Sequence, residues 1–129
     1  MNKVNLSESE WKIMTKLWES GRLTIMQLTA ELKAETGWTK NTVITFLKRM
    51  EEKGAVAYDQ GERAKLYYPL IERGEAETVE TKSFLNRVYN GSLGLMMNAL
   101  IENKALSKED ISELYDILKK AEKEDGGNG

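Results

Sequence analysis

Apolar residues recur at helical spacing through most of the chain, and polar caps between apolar neighbours open the runs. In Leu6-Ser7-Glu8-Ser9-Glu10-Trp11 a serine stands three residues before a glutamate, with Leu6 and Trp11 on either side. That is a capping box with a hydrophobic staple. Leu23-Thr24-Ile25-Met26-Gln27-Leu28 repeats it, and Leu106-Ser107-Lys108-Glu109-Asp110-Ile111 repeats it with Asp in third place. Trp38-Thr39-Lys40-Asn41-Thr42-Val43 keeps the cap and the staple but lacks the acid. Helices are therefore expected to start after Ser7, Thr24, Thr39 and Ser107.

The first helix carries Trp11, Met14, Leu17 and Trp18 and ends at Ser20-Gly21. The second carries Ile25, Leu28 and Leu32 and ends near Thr36-Gly37. In the third, Val43, Phe46, Leu47 and Met50 recur at i, i+3, i+4 and i+7 before Lys53-Gly54 stops it. Only a few residues around Gly37 separate the second from the third, which is a helix-turn-helix arrangement. Two β-prone runs follow, Ala55-Val56-Ala57-Tyr58 and Ala64-Lys65-Leu66-Tyr67-Tyr68. The polar loop Asp59-Gln60-Gly61-Glu62-Arg63 lies between them, so a hairpin is expected. Pro69 closes the second strand, where no ladder donor is needed.

Ile71 to Thr78 is polar and acidic, with Gly74 in its middle, and reads as the domain boundary. Beyond it, Glu75 to Tyr89 is expected to be helical, with Val79, Phe84, Leu85, Val88 and Tyr89. Asn90-Gly91 stops that helix, and Ser92 to Glu102, rich in Leu and Met, forms the next. The last helix carries Ile111, Leu114, Tyr115, Ile117 and Leu118. The acidic, glycine-rich residues 124–129 are expected to be a disordered tail. The expected domains are 1–72, 73–123 and that tail. The fold class is mainly α with a small β-hairpin.

Composition narrows the chemistry. The 129 residues suit one small domain with an arm. There is no cysteine, which excludes disulfides, thiolate nucleophiles and cysteine metal sites. There is no histidine, which removes the usual general base and the commonest metal ligand. The acidic residues form no paired constellation, and no enzyme, metal or cofactor is expected. No apolar run approaches the ~20 residues of a membrane span, and no signal peptide opens the chain. A cytoplasmic protein without a membrane partner is expected.

The net charge of −2 hides an asymmetry. Residues 1–73 carry 12 basic and 10 acidic groups, whereas 74–129 carry 7 basic and 11 acidic. Opposite balances suggest two tasks.

Three helices and a hairpin make the pattern of a winged helix-turn-helix, whose third helix enters the major groove while the hairpin loop lies on the backbone. The outer face of the third helix tests the idea. With Asn41 at zero on a helical wheel, Val43, Phe46, Leu47 and Met50 fall between about 140° and 240°. Asn41, Ile44, Thr45, Lys48 and Glu52 lie opposite, flanked by Thr42 and Arg49. Asparagine can bond adenine bidentately, and threonine offers a hydroxyl and a methyl. Lys40, Lys48 and Arg49 can neutralise phosphates. The free N–H groups of the helix start at Thr39 can receive one. Arg63 and Lys65 stand in the wing. The candidate DNA-binding residues are thus Thr39, Lys40, Asn41, Thr42, Thr45, Lys48, Arg49, Arg63 and Lys65. Glu51, Glu52 and Glu62 oppose nonspecific affinity, so binding should be salt-sensitive and depend on base readout. The tryptophans read as core: Trp11 and Trp18 sit seven apart on one face, and Trp38 is a staple.

The second half holds more large apolar side chains than a small helical arm can hide. A two-fold dimer is the economical solution. The candidate dimerisation residues are Phe84, Leu85, Val88, Leu93, Met96, Met97, Leu100, Ile101, Ile111, Leu114 and Leu118. The expected architecture is a winged helix-turn-helix plus a C-terminal helical dimerisation arm.

Several segments together resemble the bacterial penicillinase and methicillin-resistance repressors. They are Leu6-Ser7-Glu8-Ser9-Glu10-Trp11-Lys12-Ile13-Met14, Leu17-Trp18, Trp38 to Val43, and Leu47-Lys48-Arg49-Met50-Glu51-Glu52-Lys53-Gly54-Ala55. In the second half they are Lys82-Ser83-Phe84-Leu85-Asn86-Arg87, Tyr89-Asn90-Gly91, Leu106-Ser107 and Ile111. The resemblance covers nearly the whole chain. It implies a homodimer that binds a palindromic double-stranded operator and blocks transcription. It implies DNA contacts at Lys40, Asn41, Thr42, Thr45, Lys48 and Arg63. It also implies an inducer acting on the arm, in the resistance repressors through a regulatory protease that cuts an Asn-Phe bond. Alignment through Leu106-Ser107 puts that bond at Ala99-Leu100, where the asparagine is absent and Asn98 stands one residue earlier. The copper-responsive branch ends in a cysteine-rich metal motif, which this chain lacks.

Two other readings stay open at this stage. One is a winged helix that binds protein instead of an operator, favoured by the acidic total charge and Glu52. The other is a repressor with a ligand pocket among the methionine-rich helices, lined by Met96 and Met97.

Overall fold

A computed structural model gives the structure of the chain. It describes residues 4–128, with side chains as far as 125. The order is α1 (Glu8–Ser20), α2 (Ile25–Thr36), α3 (Lys40–Glu52), β1 (Val56–Gln60), β2 (Lys65–Pro69), α4 (Arg73–Tyr89), α5 (Leu93–Glu102) and α6 (Lys108–Asn128).

Local capping sets the helix starts. Ser7 accepts from the Glu10 N–H while the Glu10 carboxylate accepts from the Ser7 N–H, at 3.2 and 2.9 Å. Thr24 and Gln27 make the same reciprocal pair. Thr39 caps α3 alone, accepting from the Thr42 N–H at 3.3 Å. Ser107 and Asp110 close the start of α6. Gly37 ends α2 at φ 71°, a left-handed turn that a side chain would strain, and its N–H reaches the Lys33 carbonyl. This cap turns the chain sharply enough for α3 to start after Trp38 and Thr39.

Nine large side chains are fully buried: Ile13, Met14, Leu17, Leu28, Leu32, Val43, Leu47, Met50 and Val56. They come from α1, α2, α3 and the first residue of β1. Each contributes roughly 1.5–3 kcal/mol by leaving water. Trp11 and Trp18 are only half-buried, meeting edge to face at 5.5 Å, and Ile13 takes the core position beside Met14. Trp38 is likewise half-buried, 4.9 Å from the Phe46 ring.

The hairpin is antiparallel, with Val56 opposite Pro69 and Gln60 opposite Lys65. β1 runs two residues further than the apolar pattern suggests, taking in Asp59 and Gln60. A single isolated bridge joins Leu23 to Tyr67 of β2, through N–H to carbonyl bonds of 3.1 and 2.9 Å. The segment between α1 and α2 is thereby tied to the middle of β2.

The chain divides into two compact units between Thr81 and Lys82. The boundary expected at 72/73 is thus displaced into α4. From Arg73 on, the polar stretch from Ile71 to Thr78 is the start of this helix, Gly74 included. Ala76 is buried at 5% exposure and its N–H bonds the Glu72 carbonyl, while Arg73 pairs with Glu77 one turn on. Burial of that one alanine and local pairing outweigh the cost of a glycine in the first turn. The tail also differs from expectation. α6 continues to Asn128: Ala121, Glu122, Lys123 and Glu124 are helix formers that carry it past 123, and the helix runs on through Gly126 and Gly127 against their low propensity. Gly129 lies outside the described residues. No helix among the described residues is long and apolar enough to cross a membrane.

Candidate nucleic-acid interface

α3 packs its Val43, Leu47 and Met50 side into the core and turns the opposite side outward. Thr39, Lys40, Asn41, Thr45, Lys48 and Arg49 are all exposed, and Thr42 and Ile44 are half-buried. The structure therefore brings together every α3 residue that the wheel selected. Arg63 and Lys65 are exposed on the hairpin, Arg63 in the loop and Lys65 at the start of β2. Gly61 closes that loop by donating to the Ala64 carbonyl at 2.9 Å.

Some hydroxyls on this face are already engaged. Thr39 and Thr42 share a hydrogen bond of 3.1 Å, and the Thr45 hydroxyl donates to the Asn41 carbonyl at 3.0 Å. The Thr45 hydroxyl proton is thus used within the helix, and its oxygen can still accept. The Asn41 amide has no side-chain partner among the described residues and keeps both a donor and an acceptor for a base edge.

The cations separate into two sets. Lys12 pairs with Glu35, Lys16 with Glu19, Arg22 with Asp59, Lys53 with Glu10 and Arg73 with Glu77. Among the described residues of the first unit, the cations without an ion pair are Lys33, Lys40, Lys48, Arg49, Arg63 and Lys65. Each stands on the end of α2, on α3 or on the hairpin. Lys33 was not legible as a site residue. It lines one shallow depression with Lys40, together with Met26, Thr29 and Ala30. A second cleft runs between α3 and the hairpin, lined by Lys48, Lys65, Glu51, Glu52, Ile25, Ile44 and Tyr67. Burial pushes the Tyr67 hydroxyl above its ordinary value of 10.0, against the pull of Lys65. Lys65 also lies 4.3 Å from the centre of the Tyr58 ring.

A cluster of unpaired cations around an exposed Asn-Thr-Lys stripe suits a polyanion with readable edges. Among the described residues no group of histidine, cysteine and carboxylate side chains could hold a metal ion.

The second unit has a different surface. None of its described side chains is buried. Phe84, Val88, Leu93, Ile101, Ile111 and Leu118 are each at least 40% exposed, and Leu85, Met96, Met97, Leu100 and Leu114 are half-buried. Leu95, Tyr115 and Ile117 join the exposed apolar set. Ala99 and Leu100 lie inside α5, and the Ala99 carbonyl accepts from the Asn103 N–H and side-chain amide at 3.2 and 2.8 Å.

Known proteins match this arrangement. The model of the penicillinase repressor family matches residues 6–120. The penicillinase repressor of Bacillus licheniformis is 35% identical over 119 residues, which is 92% of this chain and 93% of that protein. The methicillin resistance regulatory protein MecI of Staphylococcus aureus (strain N315) is 27% identical over 115 residues, covering 89% and 94%. Among solved structures, the monomeric form of Bacillus licheniformis BlaI in complex with the blaP half-operator superposes with a TM-score of 0.51 at 26% identity. That likeness covers 58% of this chain and 93% of the BlaI chain. With a winged helix, a cationic outer helix face and a match over nearly its full length, the chain belongs to the penicillinase repressor family, whose members are winged-helix transcriptional repressors.

Proposed function

We propose that this chain acts as a homodimeric repressor that places α3 in the major groove of a palindromic operator and rests its hairpin on the backbone. The observation that carries the reading is the segregation of unpaired cations around α3 and the hairpin. Asn41 reads an adenine edge, Lys48 a guanine edge, and Thr45 offers its methyl. Lys40, Arg49 and Lys33 neutralise phosphates, as do Arg63 and Lys65 from the wing. Thr39 caps the helix, with Thr42 in its first turn, and the N–H groups left free there face a phosphate. The BlaI monomeric form in complex with the blaP half-operator supports operator DNA as the partner.

A second copy covers the apolar faces of α4, α5 and α6, which the second unit alone leaves in water. The two-fold axis then sets two α3 helices about 34–36 Å apart, or a multiple of that, to match inverted half-sites. Any regulatory protease acting at Ala99-Leu100 must first unwind α5, because both residues are helical. Induction by that route therefore depends on opening the arm.

The test is a gel shift of the full-length chain on the DNA upstream of its own gene, with Asn41→Ala and Lys48→Ala beside it. The expected result is a discrete complex holding two chains, weakened about 5- to 150-fold by each substitution. Wild-type affinity in both variants would show that α3 is not the recognition helix.

A further inference from the structure

Asn41, Ile44, Thr45 and Lys48 fall at i, i+3, i+4 and i+7 along the outer side of α3, and so form one stripe. Three of the four are polar. Ile44 is not, and the core does not explain it, since Val43, Leu47 and Met50 already fill that side of the helix and are fully buried. Ile44 is only half-buried. Ile44 lines a cleft together with Ile25 and Tyr67, with Lys48 and Lys65, and with the carboxylates Glu51 and Glu52. A β-branched side chain in a helix has one strongly preferred χ1, so Ile44 holds its methyl groups in a fixed place. The result is a stiff apolar surface set between an amide and an ammonium group.

In the major groove the apolar group that a base pair presents is the thymine C5 methyl. We propose that Ile44 is a specificity-determining residue that packs on one thymine methyl in each operator half-site, beside the bases met by Asn41 and Lys48. Ile44 thereby requires a thymine at a fixed step from the Asn41 contact, and disfavours cytosine, which offers a bare C5 and an amino donor there. The inference rests on the operator-binding reading and adds to it the chemistry of one base position.

The test uses the full-length chain and duplexes that it selects from a random-sequence library. Each thymine of the selected site is then replaced in turn by deoxyuridine, which removes the methyl and leaves every hydrogen-bonding edge. At one thymine per half-site, wild-type affinity should fall about fourfold for the single methyl lost. Ile44→Ala should bind the thymine and uracil duplexes equally, and Ile44→Val should keep part of the difference. Each protein is compared with itself on two duplexes, so a change in its stability does not mimic the effect. If Ile44→Ala fails to fold by circular dichroism, the smaller difference expected of Ile44→Val decides. A wild type indifferent to every methyl overturns the assignment, and so does an undiminished difference in the variants. If the wild type selects no sequence at all, the operator-binding reading fails first and this one with it.

Discussion

Lys53 Nζ lies 2.7 Å from Oε1 of Glu10, joining the C-cap of α3 to the first turn of α1 across 43 positions of sequence. The same ammonium donates to the Asn5 carbonyl at 2.8 Å, and Glu10 also receives the Ser7 N–H. Glu10 is 2% exposed, while the Lys53 side chain keeps 34% of its exposure. One end of the helix that carries the candidate DNA contacts is thus held by a buried carboxylate. Burial raises the Glu10 carboxyl, but the Lys53 hydrogen bond, the Ser7 N–H and the Lys53 charge together hold it below its ordinary value of 4.5.

A group whose folded value is depressed stabilises the fold above its unfolded value and loses that contribution as pH falls through the folded one. The melting temperature should therefore drop as pH falls below about 4.5, the region where unfolded glutamate takes up its proton. Glu10→Gln should flatten part of that drop. Glu35, lowered by its hydrogen bond to Lys12, shares in the acid dependence, so the difference between the variant and the wild type is the informative quantity. Glu10→Ala should cost about 2–3 kcal/mol by calorimetry, below the range for a fully buried pair because Lys53 is partly exposed. An identical pH profile in Glu10→Gln would show that another carboxylate is responsible.

Phosphate contacts and base contacts should separate in salt. Lys33→Ala and Lys40→Ala should each lower the slope of log affinity against log salt by about one unit, with little change in sequence preference. Lys12→Ala removes a cation already paired with Glu35 and should leave the slope alone. Fluorescence anisotropy across a salt series distinguishes these outcomes.

The wing can be tested through its glycine. A Cβ at Gly61 would stand 2.7 Å from the Ala64 carbonyl oxygen, a backbone atom that can yield only if the loop changes shape. Gly61→Ala should thus weaken operator binding several-fold while the melting temperature stays close to wild type, since the atoms nearest that Cβ belong to Ala64 and Leu66, neither of them a core residue. A large loss of stability with intact binding would argue against a turn that serves the DNA contact.

Charge on the exposed faces of the second unit should break the proposed dimer. Val88 and Leu118 are 50% and 62% exposed. Val88→Glu or Leu118→Glu should give monomers in sedimentation equilibrium and a half-site footprint. All three tryptophans belong to the first unit, so an unchanged tryptophan emission would show that the winged helix is intact.

Much of this structure was legible in sequence where the determining interaction is local. Ser7, Thr24, Thr39 and Ser107 mark helix starts because a cap bonds groups only three residues away. The outer stripe of α3 was legible because helix geometry alone puts Asn41, Thr45 and Lys48 on one side. What depends on distant packing was not. The helical start of α4 rests on burial of Ala76, the isolated bridge on Leu23 meeting Tyr67, and the place of Lys33 on the turn at Gly37 that brings α2 beside Lys40. The polar end of β1 escaped notice because a two-stranded ribbon exposes Asp59 and Gln60, leaving no alternation to read. Ile44 was visible on the outer face, yet an apolar residue there carries meaning only once the core is known to be filled without it.

The most direct test of operator binding is selection from random-sequence duplex DNA by the full-length chain at moderate salt, with the complex then weighed by sedimentation. The expected result is enrichment of one inverted repeat, bound by two chains, with half-site centres separated by about one helical turn or a multiple of it. Recovery of no preferred sequence, even at low salt, would contradict operator binding.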